Sequence, residues 1–356
     1  MAYTGTGALT FGTAARPEAA CVRDWQAPFA VDVRLTLSVH GRGTGDPTFR
    51  VDEAGAVWRT SLTPDGPGTI RVLAPARPAR PARPARPTRT ARTAVTAAAA
   101  VTDDLPDAAG TAVRAQAWGP GAEWLLDALP AALGLYDESA GFDPTGHPVL
   151  REAARRHPGL RLGRSGRLME SLVPAILEQK VLTLEAHRAW KILLFKFGTQ
   201  PPGPAPQGMR VFPEPKTWRR IPSWDWHRAG VEGVRARTIF QATSVAESLE
   251  RLLTRTHGEA DRLLRTVPGI GVWTSAEARQ RAAGDPDSVS VGDAHLSDIV
   301  GWTLAGRTAT TDEEMLDLLA PYAGHRYRAT RLVLLSGRGG PPRRAPRLPV
   351  RDYRWF

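Results

Sequence analysis

The sequence predicts an α+β fold in which a small antiparallel sheet domain precedes an all-helical region. Three observations carry this reading. Before about residue 120, apolar residues recur with a period of two in short runs set off by Gly, Pro and Asp. Beyond it they recur with helical spacing. At 263–293 an apolar helix end, the turn Val267-Pro268-Gly269-Ile270-Gly271 and a second helical pattern follow without a break.

Taken in order, residues 1–23 read as a flexible N-terminus. Phe29, Val31, Val33, Leu35 and Leu37 alternate with Ala30, Asp32, Arg34, Thr36 and Ser38, which predicts a strand. Further strands are predicted at 47–52, 56–62, 68–73 and 111–117. A Pro/Ala/Arg insert at 74–93 interrupts this sheet and is predicted to be disordered from its composition. The sheet domain is thus placed at 24–120 and the helical region at 121–336.

Trp124, Leu125, Leu126 and Leu129 mark the first helix, which ends near Leu133-Gly134. A long pair is predicted at 167–197, with Leu168, Leu172, Ile176, Leu177 and Val181 on one face and Gly198 as its stop. Residues 199–215, rich in Pro and Gly, read as a loop. Short helices follow at 214–220 and 224–229, a longer one at 233–252, and two more at 259–266 and 272–283 around the turn. Thr311 and Glu314 form a capping box that starts another helix. A last helix at 325–336 runs into a basic tail, 337–356, predicted to be flexible.

The chain has 356 residues and a formal net charge of +11. The insert 74–93 holds six arginines and no acid, and 338–356 holds six arginines against Asp352 alone. These two pieces carry the whole formal excess. They suit either counterion-releasing, salt-dependent DNA affinity or a solvated linker. Cys21 is the only cysteine, so no intramolecular disulfide, iron–sulfur or zinc–cysteine cluster is expected. No metal or organic cofactor is called for. No apolar run is long enough to span a bilayer and no signal peptide is apparent, so a cytoplasmic, nucleoid-associated monomer is expected.

The turn itself has chemistry. Pro268 fixes the backbone, while Gly269 and Gly271 can take positive φ and leave no Cβ in the way. Backbone N–H groups there, with the start of the next helix, make a seat for an anion. Two helices with such a seat at their tip fit duplex DNA held by its phosphates. Twenty-two residues past Gly271, Asp293 opens another helix. Asp is a favoured N-cap, and a helix N-terminus also holds such a carboxylate ionised.

This arrangement resembles the helix-hairpin-helix DNA glycosylases, in particular the 3-methyladenine DNA glycosylase II branch, over about Trp118–Leu335. VPGIG alone is shared with many non-catalytic DNA-binding proteins; VPGIGxWT with a correctly spaced Gly-Asp is more specific. The resemblance implies a TATA-binding-protein-like sheet domain ahead of the helical bundle. It also implies a double-stranded DNA partner containing damaged bases, and Asp293 as the catalytic carboxylate. Backbone grip is expected from Gly269, Ile270, Gly271 and Thr274, with Gln179 and Lys180 on a helix that reaches the minor groove. In the family the residue after this glutamine plugs the gap left by the flipped base; Lys180 suits a phosphate better. Both residues also fit the wet face of an amphipathic helix.

Trp273 stands where bifunctional relatives carry a lysine nucleophile, so a monofunctional enzyme without lyase activity is implied. Trp273, Glu277 and His325 are the candidate base-pocket residues, the last two standing where better-known relatives have aromatics. Trp273 reads equally as core packing at the hairpin, and a lone His such as His325 is more often structural. The function implied is hydrolysis of the N-glycosidic bond of alkylated purines after base flipping. Two alternatives remain open: a non-catalytic DNA-binding protein, and a glycosylase for oxidised or deaminated bases.

Overall fold

The computed structural model describes residues 19–74 and 110–341. The predicted loose start to residue 18, the Pro/Ala/Arg insert from residue 75 and the tail from residue 342 lie outside the described residues. Strands β1 (Cys21–Ala27), β2 (Phe49–Val51), β3 (Val57–Thr63), β4 (Gly66–Leu73) and β5 (Thr111–Trp118) form one antiparallel sheet in the order β1-β5-β4-β3-β2. The turn Pro64-Asp65 joins β3 to β4, pairing Thr63 with Gly66 at φ +121°.

Val57, Ile70, Val72, Val113 and Ala115 bury against Ala122, Leu125, Leu126 and Leu129 of α2 (Ala122–Ala132). Burial of a leucine contributes about 1.5–3 kcal/mol, so this stripe fastens α2 to the sheet rather than to the helices that follow it.

The strand predicted from the alternation at 29–38 is not formed. Val33–Leu37 is a single helical turn, α1, which buries Val33, Thr36 and Leu37 at helical spacing. Asp32 caps it, its Oδ1 accepting from Leu35 N at 2.9 Å. The edge strand is instead Cys21–Ala27, inside the stretch read partly as loose. Its inward row contains Arg23, which pairs with Glu123 and Asp127 of α2.

The helices gather round two cores. The first takes α4 (Leu168–Leu177), α5 (Thr183–Phe197), α6 (Pro215–Arg219), α7 (Ser223–Arg228), α8 (Gly233–Ser244), α9 (Ala246–Glu250), α10 (His257–Leu264) and α11 (Val272–Ala282). The second takes α3 (Pro148–Arg156), α12 (Leu296–Ala305), α13 (Asp312–Leu319) and α14 (Arg326–Leu335). The single helix expected at 233–252 is broken at Val245 (φ −119°, ψ 23°). Just before the break, Thr243 and Ser244 turn their hydroxyls back onto the carbonyls of Ile239 and Phe240. Such back-bonding and a β-branched residue both work against continuing the helix.

The predicted capping box at α13 is present: Thr311 Oγ1 accepts from Glu314 N at 3.2 Å, and Glu314 Oε2 from Thr311 N at 2.9 Å. Thr311→Ala is expected to cost about 1 kcal/mol, read as a lower denaturant midpoint at unchanged slope. One buried ion pair ties the second core to the connection between α2 and α3. Arg328 of α14 grips Asp137, the two side chains being 5% and 1% exposed. Asp137 Oδ2 also accepts from Leu162 N at 2.9 Å.

Candidate active site

The turn 267–271 joins α10 to α11 as predicted. Gly269 has φ +89°, and a Cβ there would lie 2.2 Å from Thr238 Oγ1, so no other residue fits. Gly271 differs from expectation: its φ is −96° and it serves as N-cap of α11. Nothing lies within 4 Å of where its Cβ would be, so the space beside the turn is open. Val267 and Ile270 are buried in the first core and peg the turn down. Ile270, at 4% exposure, therefore offers a ligand its backbone only. The first amides of α11 have no intrahelical acceptor and carry the positive end of the helix dipole.

Gln179 and Lys180 are not on a helix, because α4 ends at Leu177. They form the tip of the α4–α5 turn. Arg235, itself buried, secures the end of α4 by donating to the Leu177 carbonyl at 2.8 Å. Gln179 Nε2 reaches across to the hairpin, donating to Gly269 O at 2.9 Å and Thr274 Oγ1 at 2.8 Å. Thr274 is 2% exposed, so its side chain braces the hairpin internally instead of contacting a partner. Lys180 is exposed and left-handed, with φ +54°. A non-glycine residue held there stores strain of about 1–3 kcal/mol, a mark of functional tips.

A hydrogen-bonded ladder places Asp293. Trp273, Glu277 and Gln280 lie along one face of α11. Trp273 Nε1 donates to Asp293 Oδ2 at 3.1 Å. Glu277 Oε1 accepts from Ser290 Oγ, and Gln280 Nε2 donates to Ser288 O at 2.9 Å and Ser290 Oγ at 3.0 Å. The segment 288–293 is thereby laid against α11. Asp293 Oδ1 accepts from His295 N at 2.9 Å and Leu296 N at 3.0 Å, which caps α12 from three residues ahead. The N-cap itself is His295, not Asp293 as the sequence suggested; Asp293 lies two residues ahead of it and still bonds the first amides of the helix.

The other acids nearby are committed elsewhere. Asp285 pairs with Arg279, Asp287 with Arg326, and Asp298 Oδ1 accepts from Thr310 N at 3.0 Å. The first two flank Pro286 in a Gly-Asp-Pro-Asp segment, and each is half of an ion pair. Asp293 is contacted by N–H groups alone, with no cation partner among the described residues. Glu277 pairs with Arg281 at 2.7 Å, and Arg281 Nε donates to Val39 O at 2.9 Å. Both carboxylate oxygens of Glu277, expected in a base pocket, are thus engaged inside the protein.

His325 precedes α14 and meets Phe142, the ring centroids 5.7 Å apart; Phe142 meets Tyr322 at 5.9 Å. His325 Nδ1 is buried and without a partner. Phe142, missed in the sequence, is a lone aromatic in the Gly141-Phe142-Asp143-Pro144 turn and carries no periodic signal. Among the described residues no group of three or more His, Cys, Asp or Glu is placed to hold a metal ion, and no helix is long and apolar enough to cross a membrane.

Solved structures share this architecture. A 3-methyladenine DNA glycosylase from Archaeoglobus fulgidus superposes with a TM-score of 0.66 over 88% of this chain and 98% of its own, at 17% identity. The 8-oxoguanine glycosylase/lyase of Clostridium acetobutylicum in its apo form gives 0.61 over 90% and 99%, at 10% identity. MBOgg1, solved with a low-affinity DNA ligand, gives 0.59 over 90% and 98%, at 16% identity. The fold is that of the helix-hairpin-helix DNA glycosylases. No protein-family model and no curated protein matches the sequence. The glycosylase fold thus spans sheet and helices alike, and the ladder that holds Asp293 runs along the second helix of its hairpin.

Proposed function

We propose that the chain is a monofunctional DNA glycosylase of base-excision repair that hydrolyses the N-glycosidic bond of alkylated purines. The sheet unit is read as the TATA-binding-protein-like domain of such enzymes. The observation that carries the proposal is Asp293, an unpaired carboxylate fixed by three N–H donors on the flank of the hairpin helix.

The hairpin seats a backbone phosphate on the Gly269–Gly271 turn and the N-terminus of α11. The damaged nucleotide is turned out of the stack toward Asp293. As the bond from C1′ to the base nitrogen breaks, the base leaves with the electron pair and positive charge grows on the sugar, which the carboxylate stabilises. Water bonds to C1′ and loses its proton through Asp293 to solvent. An N3- or N7-alkylated purine is cationic before cleavage and neutral after it, so no strong acid is required. His325 with Phe142 and Tyr322 offers rings for the extruded base. Trp273 carries no amine, so no Schiff base forms and the strand stays intact.

The test is base release from duplexes carrying alkylated, oxidised or deaminated bases, with the strand checked for nicks. Release from alkylated purines alone, with intact strands, is the expected result. Release confined to oxidised or deaminated bases would transfer the reading to another lesion class. Trp273→Phe keeps the ring and removes the donor to Asp293. A fall of about tenfold in single-turnover rate is expected, the worth of a hydrogen bond to a charged group, with duplex affinity unchanged.

A further inference from the structure

The outer face of α5 takes no part in this reaction, yet it is built as a surface. Leu184, Arg188, Lys191 and Phe195 fall at i, i+4, i+7 and i+11, on one side of the helix, and all four are exposed. Lys180 stands just ahead of the helix at the same end as the hairpin brace. At the far end, the Arg210 guanidinium lies 5.2 Å from the Phe195 ring centroid and Lys191 Nζ 6.0 Å from it. Arg50, on edge strand β2, comes to the same place: a Cβ on Gly208 would be 3.5 Å from Arg50 Nη2 and 3.7 Å from Phe195 Cζ.

The loop Gly43-Thr44-Gly45 borders this stripe without bulky side chains. A Cβ on Gly45 would lie 3.1 Å from Lys191 Nζ. Buried Asp46 fixes the loop, accepting from Arg42 N at 2.6 Å, Thr48 N at 2.8 Å and Trp190 Nε1 at 3.0 Å.

Glu178, beside the head of the stripe, is held by Arg42 at 3.2 Å; burial alone would push its pKa up, but Arg42 brings it down to about 2. Glu185 Oε2 accepts from Leu182 N at 3.1 Å. Lys180, Lys191, Arg50 and Arg210 form no ion pair among the described residues. Among the described residues Arg50 and Arg210 donate to neutral acceptors: Asp46 O, Gln200 Oε1 and Met209 O.

The stripe from Leu184 to Phe195 is about 17 Å long at 1.5 Å per residue. A duplex segment of that axial length carries about five phosphates on each strand, at about 3.4 Å of rise each. Two apolar side chains separated by two cations make no contiguous apolar patch, so the stripe suits a charged polymer better than an apolar protein face.

We propose that α5, edge strand β2 and the Gly43–Gly45 loop form a second DNA-backbone track, which carries the duplex arm leaving the hairpin on the Lys180 side. This rests on the duplex-binding reading given above and extends the footprint to the sheet unit.

The experiment is fluorescence anisotropy with the full chain and two duplexes containing an abasic-site analogue. In one the arm on the Lys180 side is long; in the other it stops at the hairpin's grip. Affinities are measured over a range of salt concentrations. Lys191→Glu with Arg210→Glu is expected to lower the slope of log affinity against log salt by about 2 on the long arm, with an affinity loss of tenfold or more at low salt, and to match wild type on the short arm. The same charge change on α3, Arg151→Glu with Arg155→Glu, should leave the slope alone. A wild-type slope in the α5 variant, an equal loss on both duplexes, or an equal loss in the α3 variant would overturn the track. If the reversal unfolds the protein, the Lys191→Ala and Arg210→Ala pair serves, with the same arm dependence required. Base release by wild type is read separately. Its absence, with an arm-dependent slope, would remove the glycosylase reading and leave the track standing.

Discussion

Asp293→Asn is expected to reduce base release by about 10²–10³-fold or more, the scale of losing one preorganised electrostatic group at a reacting centre. Affinity for a duplex with an abasic-site analogue should stay within a factor of about two of wild type, since Asp293 is not part of the proposed backbone grip. The substitution is nearly isosteric. Asn can still accept from His295 N and Leu296 N through its oxygen. Its amide nitrogen cannot accept from the Trp273 indole as Asp293 Oδ2 does. Charge and one orienting bond are lost together, which is why the effect should exceed that of Trp273→Phe. Single-turnover base release is the measurement. An Asn variant that keeps the wild-type rate would show that the carboxylate does not act on the sugar. Duplex binding with no release from any lesion, even by wild type, would leave a non-catalytic DNA-binding protein.

The largest stability effect is expected at Asp137→Ala, about 3–5 kcal/mol, because removing one half of a buried ion pair leaves the other half uncompensated. Arg328 would remain 5% exposed without its carboxylate, and Leu162 N would lose its acceptor. Combining it with Arg328→Met removes the stranded charge. The double variant should recover most of the loss, since apolar replacement of a whole buried pair is often neutral. Denaturant unfolding of wild type, the two singles and the double closes the cycle. A loss below about 1 kcal/mol for Asp137→Ala would place the pair in water.

The helical half was legible because its signals are local. The hairpin announces itself by Pro268 and Gly269, and α13 by Thr311 and Glu314. Elements held by distant partners were not. β1 was hidden because its inward row contains Arg23, whose partners Glu123 and Asp127 lie about a hundred residues away. The alternation from Phe29 to Leu37 imitated a strand because Val33 and Leu37 also stand one helical turn apart, and Asp32 decides the matter as a cap. In the candidate site, the turn could be named from its Pro and Gly residues, and Asp293 and Trp273 from the resemblance they carry. That Gln179 and Thr274 brace the hairpin, and that Glu277 is bonded to Ser290 and Arg281, depends on side-chain directions that spacing does not carry. Phe142 reaches His325 only through the packing of a loop.

The ladder along α11 has a consequence for how such an enzyme changes its diet. In the proposed function one end of the helix meets the phosphate while its flank fixes Asp293, so the interval from backbone to sugar would be set by a rigid gauge. The rings proposed to receive the base, on the loop at Phe142 and ahead of α14, stand off that gauge. Substitutions there can retune which base is accepted while the cut stays registered to the same sugar. In the proposed function, measuring and tasting belong to different parts of the chain.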